Sequence, residues 1–548
     1  MTSLPPRTHL DTHEVLNQPA PLEDVNLYEG DALLRRAVRA TGGANHETAL
    51  SALGAQAGSA EAIALGVEAD RNPPETRIFD RFGQRLDEVS FHPAYHHLMR
   101  MGLEAGVSAR AWTHPEGGHV AHAALLFLMS QAESGVTCPM SMTYAAVPTL
   151  RRADPVLGRP WLERIMAGTY DPAIAPVEAK GGVTLGMALT EKQGGSDVWA
   201  NTTRAARQND GSYELIGHKW FCSAPMSDGF LSLAQTEAGL ACFLVPRWLA
   251  NGTRNRIEIQ RLKNKLGDRA HASSEIEYHG AQGFLIGAEG RGVSEIVAMI
   301  NHTRLDCAVA AASLMRQSLS LAIHHAEGRS VFGQRLIAQP LMRAVLADLA
   351  LEAEAAVALA FRTAQSIDRA TAGDRREATL SRLLTPVAKY WNTKRCPALV
   401  AEAVEAHGGA GYVEESLLPR LFRASPLNAI WEGSGNVMAL DTLRALEREP
   451  GLEDVLRDAL RDLSMLGPVG REGLARLDAG LASASDQRRA RRLAQTLAVL
   501  LAAATLQRWN REASAQAFLA TRLDGHGLFG AAAEEVPDRL VEEARIAI

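Results

Sequence analysis

Lysine is nearly missing from this chain, with 7 lysines against 50 arginines among its 57 basic residues. High genomic G and C content can produce that bias unaided, so the imbalance excludes nothing by itself. Cysteine is sparse as well. Cys138, Cys222, Cys242, Cys307 and Cys396 lie far apart with no CxxC pair, which excludes a disulfide framework and a thiolate zinc site. They read as small buried apolar residues. Long apolar runs are missing too: no stretch reaches the about 18 residues of a membrane span. The N-terminus has no basic segment followed by an apolar core, so no secretory signal is written there. The expectation is a cytoplasmic chain with no membrane partner. Histidines 96, 97, 114, 119, 122, 324 and 325 have no ligand spacing, and the adjacent pair His324-His325 diverges on a helix, so no metal is expected.

Glycine and proline are scattered rather than gathered in tracts, which excludes long disordered regions. The net charge of -6 excludes a wholly basic nucleic-acid binder. What remains is a globular chain of 548 residues, too long for one core, since cores stop growing near roughly 250–300 residues.

The hydrophobic period changes along the chain. An extended arm occupies about the first 30 residues, and Ala- and Leu-rich helical stretches follow, giving a first unit over 1–180. Short β-branched and aromatic runs separated by turn formers then predict a compact antiparallel β domain over 181–290. Helical periodicity returns over 291–446 with stretches long enough for a four-helix bundle. A further helical segment fills 447–548. The fold class is mainly α with a central antiparallel β domain and an extra helical C-terminal domain.

Three motifs carry chemistry. The first runs Ala188-Leu189-Thr190-Glu191-Lys192-Gln193-Gly194-Gly195-Ser196-Asp197, a strand entering a Gly-Gly-Ser turn. Backbone N–H groups in such a loop can meet a heteroaromatic edge or a phosphate, although Gly-Gly-Ser-Asp is equally a plain hairpin turn. The second is Glu405-Ala406-His407-Gly408-Gly409-Ala410-Gly411-Tyr412 with Arg420, followed by Ile430-Trp431-Glu432-Gly433-Ser434-Gly435-Asn436. The third is Arg329-Ser330-Val331-Phe332-Gly333-Gln334.

Together, in their order and spacing along the chain, they resemble the acyl-CoA dehydrogenase family. The resemblance implies N-terminal helices, a β-barrel-like middle domain and a C-terminal four-helix bundle, with FAD as cofactor and acyl-CoA as ligand. It implies that Leu189, Thr190, Gly195 and Ser196 hold the flavin's pyrimidine edge, and that Trp220, Phe221 and Ser223 lie against the ring system. Arg329 and Phe332 would reach the pyrophosphate and adenine from a neighbouring subunit. The turn from Gly408 and Gly409 to Gly411 would let another backbone approach the dinucleotide, while Glu405, Trp431, Gly433, Ser434 and Asn436 complete the cofactor site. Glu432 matches the base that removes the substrate α-proton. Thr303, before Arg304, stands where some relatives carry the base instead. Two departures are visible: Ala424 replaces an acidic residue after Arg423, and Glu405 replaces a glutamine.

The arm around Thr12-His13-Glu14-Val15-Leu16-Asn17-Gln18-Pro19, the Lys219-Trp220-Phe221 strand and the roughly 100 residues past the bundle resemble one branch of the family. Its members are tetrameric alkylation-response flavoproteins that bind double-stranded DNA and have weak dehydrogenase activity. The C-terminal segment offers a basic set to match: Arg488, Arg489, Arg491, Arg492, Arg508, Arg511 and Arg522. On a helical wheel Arg488, Arg491 and Arg492 oppose Leu493, Leu497, Leu500 and Leu501, which suits phosphate contact. A charged outer helix face is also simply a solvated one. The competing reading is a metabolic short- or branched-chain acyl-CoA dehydrogenase that passes electrons to an electron-transfer flavoprotein.

Overall fold

The computed structural model describes residues 6–525, 527–532 and 535–547; the first five residues of the expected arm lie outside it. The N-terminal unit is built on helices α1 (Pro93–Glu104), α2 (Gly118–Ala132) and α3 (Thr137–Leu150), with shorter helices around them. Every residue of α2 is buried, so it is a central helix without a polar face. A two-stranded hairpin, β1 (Glu75–Phe79) with β2 (Arg85–Ser90), interrupts this region. The sequence reading expected only helices here. Strand β1 buries none of its residues, so no alternating pattern marks it; the local signal is the turn, where Asp80 accepts from the Phe82 and Gln84 N–H groups at 2.8 Å.

The β domain holds β3 (Leu185–Ala188), β4 (Arg204–Arg207), β5 (Tyr213–Ser223), β6 (Gly229–Thr236), β7 (Gly239–Pro246), β8 (Ile257–Leu262) and β9 (Ser273–Ile286). Their order is β3-β6-β4-β5-β9-β7, with β8 on β9; because β7 also pairs β6, the sheet closes on itself like a barrel. Most pairings are antiparallel, but β3 runs parallel to β6 and β4 meets β6 parallel at Arg204 and Gln235. The all-antiparallel expectation is corrected to that extent. Tight turns force antiparallel neighbours, whereas two strands intervene between β3 and β6 and leave either direction open.

Three long helices follow: α4 (Gly292–Gly328), α5 (Pro340–Thr371) and α6 (Arg375–His407), joined by α7 (Gly435–Arg448). Rows of buried alanine, among them Ala308 and Ala311 on α4 and Ala353, Ala356 and Ala360 on α5, let the backbones approach closely. One buried amide ties three helices, since Asn392 on α6 donates to Ala308 O at 3.1 Å and Ala356 O at 2.9 Å. Asp368 of α5 reaches the N-terminus of α2 and accepts from the His119 and Val120 N–H groups, meeting donors that no helical carbonyl can satisfy. A two-residue hairpin, β10 (Ser330–Val331) with β11 (Gln334–Arg335), separates α4 from α5.

The C-terminal segment contains α8 (Pro468–Ala482), α9 (Ala490–Arg508) and α10 (Glu512–Arg522). Leu493, Leu497, Leu500 and Leu501 on α9 are buried. Ion pairs dock this segment on α5: Arg522 reaches Asp348 at 2.5 Å and Glu352 at 2.8 Å, and Arg511 reaches Glu354 at 2.6 Å. Two arginines expected at a DNA surface are thus committed inside the protein. Arg522 is 3% exposed, and a guanidinium shared by two buried carboxylates has nothing left for a phosphate. Arg508 is exposed but donates to Ala459 O at 2.6 Å.

Burial opposes ionisation of Glu352, yet Arg395 and Arg522 hold its carboxyl down at about 2. A depressed carboxylate stabilises the fold above its unfolded pKa, about 4.3, and loses that contribution as pH falls through about 2. Replacing Arg522 with alanine takes the ion-pair partner from Asp348 and leaves Glu352 on Arg395 alone, an effect of about 3–5 kcal/mol for a buried pair that loses one partner. Urea denaturation of the variant should show that loss at pH 7; an unchanged midpoint would mean the pairs do not dock the segment.

Candidate active site

The loop after β3 is fixed by a carboxylate that no solvent reaches. Glu191 is fully buried and accepts from Lys219 Nζ at 2.8 Å, from the Thr202 N–H at 2.7 Å and from the Thr203 hydroxyl at 2.7 Å. Burial opposes its charge, but Lys219 and these donors hold its carboxyl well below the usual range. The pair joins the Leu189–Ser196 loop to the residue preceding Trp220. The Trp220 N–H donates to Thr190 O at 2.8 Å, and a Cβ at Gly195 would meet the Thr190 hydroxyl at 2.4 Å. Glycine is therefore required where the loop folds back on itself.

Beyond Lys219 the end of β5 carries Trp220, Phe221 and Ser223. Phe221 is 52% exposed, a large apolar ring with no cover in the single chain. The Lys263 ammonium lies 3.3 Å from the Trp220 ring centroid and 4.6 Å from that of Phe221, so it backs both rings by cation–π attraction. Beside Ser223 the backbone of Ala224 is left-handed, with φ of 50°.

Glu432 occupies a left-handed turn, φ 57°, followed by Gly433 at 104°. A non-glycine residue in that region stores strain of order 1–3 kcal/mol and needs surroundings that hold it. Two cations from the long helices supply them. Arg304 on α4 donates to Glu432 O at 3.0 Å, and Lys389 on α6 donates to Gly433 O at 2.7 Å and Asn428 O at 3.0 Å. Arg304 is itself held by Asp441 at 2.9 Å, which Arg382 also engages. The side chain is aimed by Thr303, whose hydroxyl donates to Oε2 at 2.8 Å. Burial pushes the Glu432 carboxyl up from its ordinary value, against the Thr303 bond and the charges of Lys389 and Arg304. A carboxylate raised this way is a better base at neutral pH.

Trp431, in front of Glu432, is oriented by Asn428 at 2.9 Å and lies 6.2 Å from the His271 ring. The loop, the β5 end and the Glu432 turn thus belong to one region. The remaining motif residues do not join them within one chain. Arg329 ends α4, 26 positions beyond Thr303, which at 1.5 Å per residue is about 39 Å. Phe332 at the hairpin tip is 98% exposed. Glu405, Gly408 and Gly409 form an open turn at the far end of α6, where a Cβ on either glycine would touch nothing. Ser434 and Asn436 are exposed, and Asn436 accepts from Arg491 at 2.8 Å.

Sequence reading missed Glu191 and Lys219 as a pair, and Lys389 and Arg304 as the clamps on Glu432. The available signal was the scarcity of lysine. Six of the seven lysines, all but Lys180, touch these motifs or the residues beside them: Lys192 lies in the first motif, Lys265 bonds His271 and Lys394 packs on Gly435. A compact ammonium on an unbranched stem fits between converging carbonyls where a planar guanidinium does not. The unexpected Ala424 also has an explanation. Arg423 takes its carboxylates from Asp70 at 3.0 Å and from Glu414 instead.

Of the expected DNA set, Arg488, Arg489, Arg491 and Arg492 remain exposed. Arg488 precedes α9 on a short turn and pairs with Asp486 at 3.0 Å, and Arg489 lies 3.7 Å from the same carboxylate. Among the described residues no group of His, Cys, Asp and Glu could hold a metal ion, and no helix is long and apolar enough to cross a membrane. All five cysteines are buried.

A closed β domain against three long helices, with a glutamate held on a strained turn between them, defines the acyl-CoA dehydrogenase class. Residues 186–281 match the acyl-CoA dehydrogenase middle domain, residues 290–447 its C-terminal domain, and residues 17–172 the adaptive response protein AidB N-terminal domain. The chain is 45% identical to the AidB protein of Escherichia coli over 95% of its own length and 96% of that protein. It is 35% identical to acyl-CoA dehydrogenase family member 11 of Caenorhabditis elegans, over 72% of this chain and 65% of that one. Among solved structures it resembles Caenorhabditis elegans ACDH-11 in complex with C11-CoA (TM-score 0.84, 28% identity, 100% of this chain and 96% of that one). It also resembles Bd2924 in its apo form (TM-score 0.82, 29% identity, 90% and 99%). The chain belongs to the acyl-CoA dehydrogenase family, in its AidB branch.

Thr303 donates to the charged form of Glu432, so its loss should raise the Glu432 pKa further. A hydrogen bond to a charged group is worth about 1.5–3 kcal/mol, or about 1–2 pH units. In Thr303→Val the acid limb of the rate of flavin bleaching by acyl-CoA should move up by that amount; an unmoved limb would remove Thr303 from the base.

Proposed function

We propose that this chain is an FAD-dependent flavoprotein that oxidises acyl-CoA weakly, with Glu432 as the base, and binds double-stranded DNA in the response to alkylation damage. The observation that carries the catalytic half is Glu432, strained in backbone, half-buried, and aimed by Thr303. The α-proton of an acyl thioester is a poor acid, so its removal needs a base of raised pKa held in a fixed place. Arg304 and Lys389 hold that place through backbone carbonyls and leave the carboxyl itself free to take the proton. FAD, when bound, supplies the two-electron acceptor for the β-hydrogen. The open fit supports it: exposed Phe221 offers a ring face, and Ser223 and the Leu189–Ser196 loop offer polar groups next to it. Acyl-CoA as ligand is supported by the C11-CoA bound in the nematode neighbour.

One cofactor site would be shared between subunits. Arg329 and Gly408 lie too far from Glu432 for a single dinucleotide to span both ends in one chain, and Phe332 and Tyr412, 98% and 83% exposed, are large apolar groups without cover. A homotetramer, the assembly implied by the family branch, would supply both.

Arg488, Arg489, Arg491 and Arg492 are the surviving candidates for phosphate contact, on a face adjoining Asn436. Without base-reading elements they would bind duplexes irrespective of sequence. Each phosphate neutralised contributes about -0.9 to the slope of log affinity against log salt. The folded, yellow Arg488→Ala/Arg491→Ala/Arg492→Ala variant should bind every duplex more weakly and show a flatter salt slope in fluorescence anisotropy. Unchanged affinity and slope would make these arginines a solvated face, and no binding by the parent protein would favour the metabolic dehydrogenase.

For catalysis, Glu432→Gln should keep the flavin spectrum and lose anaerobic bleaching by butyryl-CoA. Bleaching at the parent rate would place the base elsewhere.

A further inference from the structure

A cleft of about 250 Å³ lies between the N-terminal unit and the β domain, apart from the Glu432 turn. The β1–β2 hairpin, α1 and the connection from Tyr170 to Thr184 wall one side, and the β5–β6 loop with Arg247 and Trp248 walls the other. At about 30 Å³ per water in the liquid it has room for about eight water-sized groups. The cleft reaches Pro139 and Ala224 at its inner end, each one residue from Cys138 and Ser223.

Two buried polar groups on its walls lack a partner, and both can donate. Ser227 is 2% exposed and its buried hydroxyl has no hydrogen-bond partner among the described residues; the buried Trp248 Nε1–H has none either. Between them Arg247, 7% exposed, has no carboxylate within ion-pair distance among the described residues. Its guanidinium donates to Pro225 O and to Asp87 O at 3.0 Å, and burial pulls its pKa down to about 10, so it stays cationic at neutral pH.

The carboxylates on the walls are, by contrast, already used. Asp228 holds Lys180 at 2.5 Å and the Thr184 N–H at 2.8 Å. Asp171 accepts from the Ala173 and Gly181 N–H groups. Glu88 meets Arg77 at 3.6 Å and Arg254 at 3.2 Å. A cation entering the cleft therefore finds no free acceptor charge, while an anion finds a buried guanidinium and two orphaned donors. The opposite wall also carries an apolar patch, the stacked rings of Phe91 and Tyr95, 4.1 Å apart, with Met99 beside them.

We propose that this cleft binds a small organic carboxylate, its head on Arg247, Ser227 and Trp248 and its apolar body against Phe91 and Tyr95. Such a site is separate from the acyl-CoA site and goes beyond the function proposed above. Walls whose carboxylates are all paired and whose unpartnered groups can donate select charge, and the aromatic patch selects an organic ion over a bare inorganic one. Orphaned buried donors are costly to leave unmet, which gives the carboxylate its hold.

The test is isothermal titration of the FAD-loaded protein with hexanoate, hexan-1-ol and sulfate. One hexanoate per chain is expected, bound at least tenfold more tightly than either of the others. Trp248→Phe deletes the Nε1–H and keeps a ring for Arg254, and with Ser227→Ala it should weaken hexanoate tenfold or more. Butyryl-CoA should not displace hexanoate. No saturable hexanoate binding, equal binding of hexan-1-ol or sulfate, unchanged binding in the folded double variant, or displacement by butyryl-CoA would each overturn the proposal.

Discussion

The left-handed turn at Glu432 is the constraint around which the rest is arranged. A glutamate does not adopt a φ of 57° unaided, and the strain is met by Arg304 and Lys389, which project from two different helices onto the turn's carbonyls. Those side chains can do so only if α4 and α6 keep a fixed separation and register. The buried alanine rows and the Asn392 amide enforce both. The long helices are thus a jig for one carboxylate, and the ion pairs from Asp441 to Arg304 and Arg382 extend the jig into α7.

A second buried charge does the same for the β domain. Glu191 and Lys219 are both fully enclosed, and such a pair brings position rather than net stability, since desolvation offsets much of its attraction. Its effect is to fix the Gly-Gly-Ser loop against the strand end that carries Phe221 and Ser223. Loop, strand end and turn come from three parts of the chain. Each is braced by hydrogen bonds within the chain itself, the kind of support that preorganised charge stabilisation requires.

What could be read in the sequence was whatever is contiguous. The motifs at Leu189, Arg329, Glu405 and Glu432 are short runs with fixed spacing, and the change of period from helix to strand and back set out the architecture. Pairs that close over long separations, such as Arg304 with Glu432 or Arg522 with Asp348, leave no local trace. A helical wheel assigns a side chain to a face but not to a partner, which is why Arg511 and Arg522 read as surface cations while their carboxylates wait on α5. The β1–β2 hairpin escaped notice because its outer strand buries nothing, and the parallel β3–β6 pairing because strand patterning carries no direction. The cleft at Arg247 draws its walls from segments more than 150 positions apart, beyond any motif.

The proposed site holds one cofactor with parts that a single chain separates. Its most direct test is the visible spectrum of the purified protein, with FAD released by denaturation and counted against chains, alongside the mass of the assembly. A yellow oligomer carrying about one non-covalent FAD per chain is the expected result, with the flavin lost when the assembly is dissociated. A colourless protein that FAD cannot reconstitute, or a monomer that keeps its flavin, would contradict it.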